Sequence, residues 1–189
     1  MSSHHFVREE QATALYIFGR NIDESVLMQL LEWNPTILAN EDVIDWLFSL
    51  NIKIDIVLSK EEIPIELPYD FIVWKPRSLE SELQRIDREV KASRVIVLGS
   101  GEVASIHQMM FKYPERQLAL FENDRKHFLL KAGASFRKWV NSGFVFDLIE
   151  NGPTTIEGSI KKEKNGYCTT EDGIITINSL SNLIIIETL

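Results

Sequence analysis

Cysteine is nearly absent: the single Cys168 in 189 residues rules out an intramolecular disulfide. With one Cys and four His there is also no zinc-type ligand spacing, and His4 and His5, adjacent near the start of the chain, read as bystanders. Long apolar runs are missing too. The run at 183–186 is far short of the roughly 20 residues that a membrane-spanning helix needs. Nine Gly and six Pro leave no low-complexity segment. The first ten residues hold no apolar stretch of the secretory kind, so a cytoplasmic chain without a membrane partner is expected.

What is present is a globular composition, 44% hydrophobic and 25% charged, which excludes disordered and fibrous classes. The net charge is −8, carried mostly by the front part, where residues 1–121 hold 12 Lys+Arg against 19 Asp+Glu. Residues 122–189 hold 8 and 9. An acidic lobe repels phosphate backbones at long range, so nucleic acid is not an expected partner and any anion site must be local.

Apolar runs at 14–18, 36–39, 54–58, 71–74, 94–98 and 117–121 read as buried strands. Helical periodicity at 23–33, 41–50, 78–90 and 102–113 falls between them, with Asn40 as a plausible N-cap. Alternation of this kind predicts a Rossmann-like parallel sheet with flanking helices over residues 1–121. After Phe121 the helical period vanishes. Short strands at 126–130, 135–140, 144–149, 173–177 and 183–187, separated by Gly, Asn and Asp turns, predict a small all-β, sandwich-like domain over residues 122–189.

In an open parallel sheet the ligand crevice lies beyond the carboxyl ends of the strands. The residues there are Gly19-Arg20-Asn21, Asn40-Glu41-Asp42, Ser59-Lys60-Glu61-Glu62, Lys75-Pro76-Arg77-Ser78 and Gly99-Ser100-Gly101-Glu102. Arg20, Lys60, Lys75 and Arg77 are four of the 12 basic residues of the acidic lobe, and all follow strands at one edge of the expected sheet. If they converge they form a positive patch for a small anion, with backbone donors from Ser100 and Gly101. The same Gly-x-Gly also fits a tight strand-to-helix turn. Glu41, Asp42, Glu61 and Glu62 offer oxygen ligands for a hard cation, or make a solvated acidic loop; Lys60 beside them favours the loop.

At this point the chain resembles the thiamine pyrophosphokinase family over nearly its whole length. Gln29-Leu-Leu-Glu-Trp-Asn-Pro35 and Asn51-Ile-Lys-Ile-Asp-Ile-Val-Leu58 resemble its second and third strand regions. Phe136-Arg-Lys-Trp139 and Glu171-Asp-Gly-Ile-Ile-Thr-Ile177 resemble segments of its β-sandwich. The resemblance implies an α/β nucleotide-binding domain followed by a β-sandwich, a homodimer, and ATP with Mg²⁺ as cofactors of an active member. The catalytic motifs differ. The family's Gly-Asp-Phe-Asp falls on Ser59, Lys60, Glu61 and Glu62, and its Thr-Asp near Arg77-Ser78. Its Asp-Gly pair falls near Glu41-Asp42, and its Gly-Arg-x-x-Asp-His turn on Gly101-Glu102-Val103-Ala104-Ser105-Ile106. Phosphoryl-type transfer is mostly positioning plus charge stabilisation by metal and cations, so these changes together should remove the mechanism. On the vitamin side the family's Gly-Leu-Lys-Tyr strand is replaced by the shorter polar stretch 156–168, and Ser181-Asn182 reads as a turn.

The remaining candidates read as structural. His107 sits in a helix with Val103, Ile106, Met110 and Phe111 and reads as partly buried. Trp33, Trp46, Trp74 and Trp139 read as core or lobe-packing residues, and Cys168 as an unreactive thiol despite Lys161, Lys162 and Lys164 nearby. The expectation is therefore a catalytically degenerate homodimer on this scaffold, binding a small anion or nucleotide and needing no cofactor. Two alternatives stay open: a divergent active pyrophosphokinase that holds Mg²⁺ through residues 41, 42, 61 and 62, and a structural protein without a ligand.

Overall fold

The computed structural model describes residues 13–60, 70–99, 101–164 and 166–189. Among these residues six strands and four α-helices come first: β1 (Thr13–Ile17), α1 (Glu24–Leu31), β2 (Thr36–Asn40), α2 (Ile44–Ser49), β3 (Ile56–Leu58), β4 (Ile72–Trp74), α3 (Leu79–Arg85), β5 (Arg94–Leu98), α4 (Val103–Lys112) and β6 (Gln117–Glu122). Eight strands follow: β7 (Arg125–Leu130), β8 (Ser135–Val140), β9 (Val145–Glu150), β10 (Thr154–Glu157), β11 (Ile160–Glu163), β12 (Gly166–Thr169), β13 (Gly173–Ser179) and β14 (Leu183–Thr188).

Among the described residues, eleven strands form one sheet in the order β11-β12-β9-β14-β7-β6-β5-β1-β2-β3-β4. From β6 to β4 every neighbouring pair is parallel. From β6 outward through β7, β14, β9 and β12 to β11 every pair is antiparallel. A second sheet, β10-β13-β8, packs through Val140, Ile175 and Ile177 against Leu130, Phe146, Leu183 and Ile185 of the first. The chain is thus a mixed α/β fold with a large parallel and antiparallel sheet and few helices.

Burial on both faces explains why the parallel strands read as continuous apolar runs. In β1, Ala14 and Tyr16 join one core cluster while Leu15 and Ile17 join another on the opposite face. Asp23 caps α1 by accepting from the Ser25 N–H at 2.7 Å. The expected Asn40 cap is corrected: its side chain makes no cap bond. Instead Asn40 Oδ1 accepts from the buried Tyr16 hydroxyl at 3.1 Å, because a buried O–H must find an acceptor. The single helix expected at 78–90 changes pitch, since α3 gives way at Ile86–Val90 to a π turn ending on Lys91 at φ 56°. The Lys91 N–H reaches back to Ile86 O at 3.0 Å, closing this wider turn.

The polar stretch 156–168 holds parts of β10, β11 and β12, three strands that periodicity did not reveal. Two of the tryptophan expectations are also corrected. Trp74 is core, but Trp33 is 72% exposed just beyond the end of α1, and Trp139 is 61% exposed because alternation along β8 turns it away from buried Val140. Ser181 and Asn182 do make a turn, with Asn182 Oδ1 accepting from the Ala132 N–H at 2.9 Å. Among the described residues no helix is long and apolar enough to cross a membrane.

Candidate functional site

The strand order reverses between β5 and β1, the topological position at which open α/β sheets bind ligands. Here the chain turns so tightly that Gly99, at φ 125°, leaves no room for a side chain: a Cβ would lie 2.7 Å from the Gly19 nitrogen. Gly99 therefore serves the close approach of two turns. Gly101 has ordinary backbone geometry, and a Cβ there would meet Phe18 at 3.5 Å.

Beyond the ends of β1, β2, β3 and β4 lies a cleft of ≈ 340 Å³. Tyr16, Phe18 and Leu58 line it together with Glu41, Asp42, Lys60, Arg77, Gly101 and Glu102. Of the six anion candidates, the cleft brings together Lys60, Arg77 and Gly101. Arg20 stands beside it, its Nη2 donating to the Asp42 carbonyl at 2.8 Å. Lys75 is exposed and does not line the cleft. Ser100, Glu61 and Glu62 lie outside the described residues, as do His4 and His5. Glu41 and Asp42 share the cleft, but Glu41 Oε2 accepts a hydrogen bond from the hydroxyl of Ser59, which is 3% exposed.

Two residues that the sequence did not single out shape this site and its support, and a third pairs α4 with β7. Burial, with the charges of Glu82 and Glu102 adding to it, holds the Tyr16 hydroxyl far above its ordinary range, so it stays a donor. Glu82 of α3 is 1% exposed. Its Oε1 accepts from the Arg77 N–H at 2.7 Å, while Oε2 has no hydrogen-bond partner. Burial pushes its carboxyl up, opposed by that bond and by Arg85 and Arg77. The local signal was Ser78 starting the helix with acids in its first turn, since a carboxylate there can reach back to an N–H ahead of the helix. The third is His127 of β7, whose Nδ1 is 2.9 Å from Nε2 of His107 in α4. Nothing in the strand pattern announced it.

The lining offers donors to an anion and carboxylate oxygens to a cation. Lys60 and Arg77 can give charge-assisted hydrogen bonds to phosphate oxygens. Glu41 is engaged by Ser59, and among the described residues no three His, Cys, Asp or Glu side chains are placed to hold a metal ion.

No family model and no curated protein matches the sequence. Solved structures do match. Thiamine pyrophosphokinase from Bacillus subtilis is similar at a TM-score of 0.68 and 11% identity, over 93% of this chain and 98% of that one. The Candida albicans enzyme gives 0.66 and 12%, over 97% and 91%. The Geobacillus thermodenitrificans enzyme gives 0.65 and 10%, over 94% and 97%. At such identities the likeness concerns architecture alone: this chain has the fold of the thiamine pyrophosphokinases.

Proposed function

We propose that the chain uses this scaffold to bind a small phosphate-bearing anion or a nucleotide at the strand-end cleft, without a metal and without transferring diphosphate. One observation carries the reading: Lys60 and Arg77, which follow different strands, line one cleft together with Gly101. Arg20 adds a third cation at its margin, bound to the turn that holds Asp42. In a chain of net charge −8, three cations near one opening offset the three acids, Glu41, Asp42 and Glu102, that line it among the described residues.

The test is thermal unfolding with phosphate, pyrophosphate, ADP and sulfate, without magnesium and at matched ionic strength. Saturable stabilisation should appear in the parent and weaken in Lys60→Ala and Arg77→Ala. Equal responses of parent and variants would remove the site. A second reading is favoured by Glu41 and Asp42 lining the same cleft: a divergent diphosphotransferase. Formation of thiamine diphosphate and AMP from ATP, Mg²⁺ and thiamine, lost in Glu41→Ala, would establish it in place of the first.

The same reading includes a homodimer to which the C-terminal strands contribute. Ile174, 45% exposed, and Trp139 stand opposite each other in register on β13 and β8. Together they are an apolar pair that a second copy could cover.

A further inference from the structure

The large sheet is not covered evenly. Helices α1 and α2 pack on one face of β1, β2 and β3, where Leu27, Ile44 and Leu47 meet Leu15, Ile17 and Val57. Past α1, the same face of β5, β6 and β7 opens into a cleft of ≈ 470 Å³, within the roughly 300–1,000 Å³ of small-molecule sites. It shares no lining residue with the strand-end cleft. Its apolar lining includes Ile96, Ala119, Phe121 and Phe128, with Leu30 of α1 at one side.

The charge around this apolar surface is one-sided. Arg94, Arg116, Lys126 and Lys131 belong to the lining and no acidic residue does, among the described residues of a chain at −8. Three of these cations already have carboxylates. Arg116 pairs with Asp87, Lys131 with Glu115, and Lys126 shares Glu187 with Lys138, at 3.4 and 2.7 Å. Arg94 differs: its Nε donates to the neutral Gln117 Oε1 at 3.3 Å, and no carboxylate among the described residues pairs with it. Exposed Trp33 adds a flat apolar surface to the same cleft.

We infer that this cleft binds an organic monoanion with an apolar body, an acyl or aryl carboxylate. The hydrocarbon part covers Ile96, Ala119, Phe121 and Phe128, and the carboxylate takes the Arg94 guanidinium in a paired, charge-assisted contact. Arg94, which no carboxylate of the described residues pairs, takes one carboxylate, and the apolar lining calls for a hydrocarbon body larger than that of acetate or formate. The inference does not depend on what the strand-end cleft binds.

Isothermal titration with decanoate and with 1-naphthoate tests it and separates the acyl from the aryl case. Decan-1-ol and decylamine serve as the neutral and cationic controls. Saturable binding of one equivalent of one carboxylate is expected, at least tenfold weaker in Arg94→Gln and lost in Ala119→Phe, which fills the cleft. Arg94 is exposed at the start of β5, so Arg94→Gln keeps the test valid should Ala119→Phe fold poorly. Absence of binding by both carboxylates overturns the inference, as does equal binding to Arg94→Gln or equal binding of decylamine. A dimer in sedimentation that Ala119→Phe dissociates also overturns it, by giving the cleft to a second copy.

Discussion

His107 and His127 join α4 to β7 through a 2.9 Å contact between Nε2 of the first and Nδ1 of the second. Nε2 of His127 is buried without a hydrogen-bond partner, and the Glu122 carboxylate is 3.9 Å from it. Burial first, then the charge that His107 carries when protonated and the charge of Arg125, lower the His127 pKa to about 4, and burial lowers that of His107. Both rings are neutral at pH 7. A depressed histidine pKa means that the unfolded chain takes up the proton first. Stability is therefore complete above about pH 6.5 and is lost as the pH falls toward 4, by roughly 3 kcal/mol for His127 alone. Urea unfolding of the parent and His127→Gln at half-unit pH steps checks this. The variant should lose less stability across that window, and parallel curves would refute the assignment.

Glu82 is the opposite case. Its carboxyl is pushed up by burial, so its contribution is present at low pH and declines as the pH rises through its folded-state pKa. Glu82→Gln keeps an acceptor for the Arg77 N–H and removes the ionisation. It should match or exceed the parent in stability at pH 8, with the difference shrinking toward pH 4. Glu82→Ala leaves that N–H without its acceptor and should cost about 1–3 kcal/mol. Denaturant midpoints at both pH values decide, and a Glu82→Gln protein clearly weaker than the parent at pH 8 would count against this account.

Gly99 and Gly101 look alike in the sequence but differ in space. Gly99→Ala meets the Gly19 backbone and a φ of 125°, so strain plus overpacking should cost about 2–5 kcal/mol. Gly101→Ala finds ordinary contact with Phe18 and should stay within about 0.5 kcal/mol. Similar melting temperatures for the two variants would disprove the distinction.

Trp139→Glu tests the homodimer. A dimer that uses this face should dissociate, while the fold changes little because the side chain is 61% exposed. Sedimentation of parent and variant at micromolar concentration is the measurement. A monomeric parent ends the proposal.

What the sequence disclosed, and what it hid, follows from how locally each feature is determined. β5 was legible to the residue because its apolar run is buried on both faces. β11 and β12 pair with each other and place Lys161, Lys162 and Glu163 in water, so little of their pattern was apolar. Trp33 and Trp139 defied the expectation that large aromatics are buried. Lys60 and Arg77 could be picked out because each follows a strand run at one end of the expected sheet, and those strands, β3 and β4, are neighbours. Glu82 left only the local trace of acids in the first turn after Ser78, and His127 left none, because its partner His107 is distant in the chain.

The β6–β7 pair has a mechanical consequence. Ala119 faces Phe128 and Leu120 faces His127 in an unbroken antiparallel ladder, so the parallel strands and the antiparallel strands are one hydrogen-bonded body. A hinge at residue 122 would have to break that ladder. A chain ending there would bare the side of β6 that β7 now occupies, a ready template for pairing with another molecule. Cutting the protein at its change of strand direction would thus yield a sticky edge in place of a free-standing half.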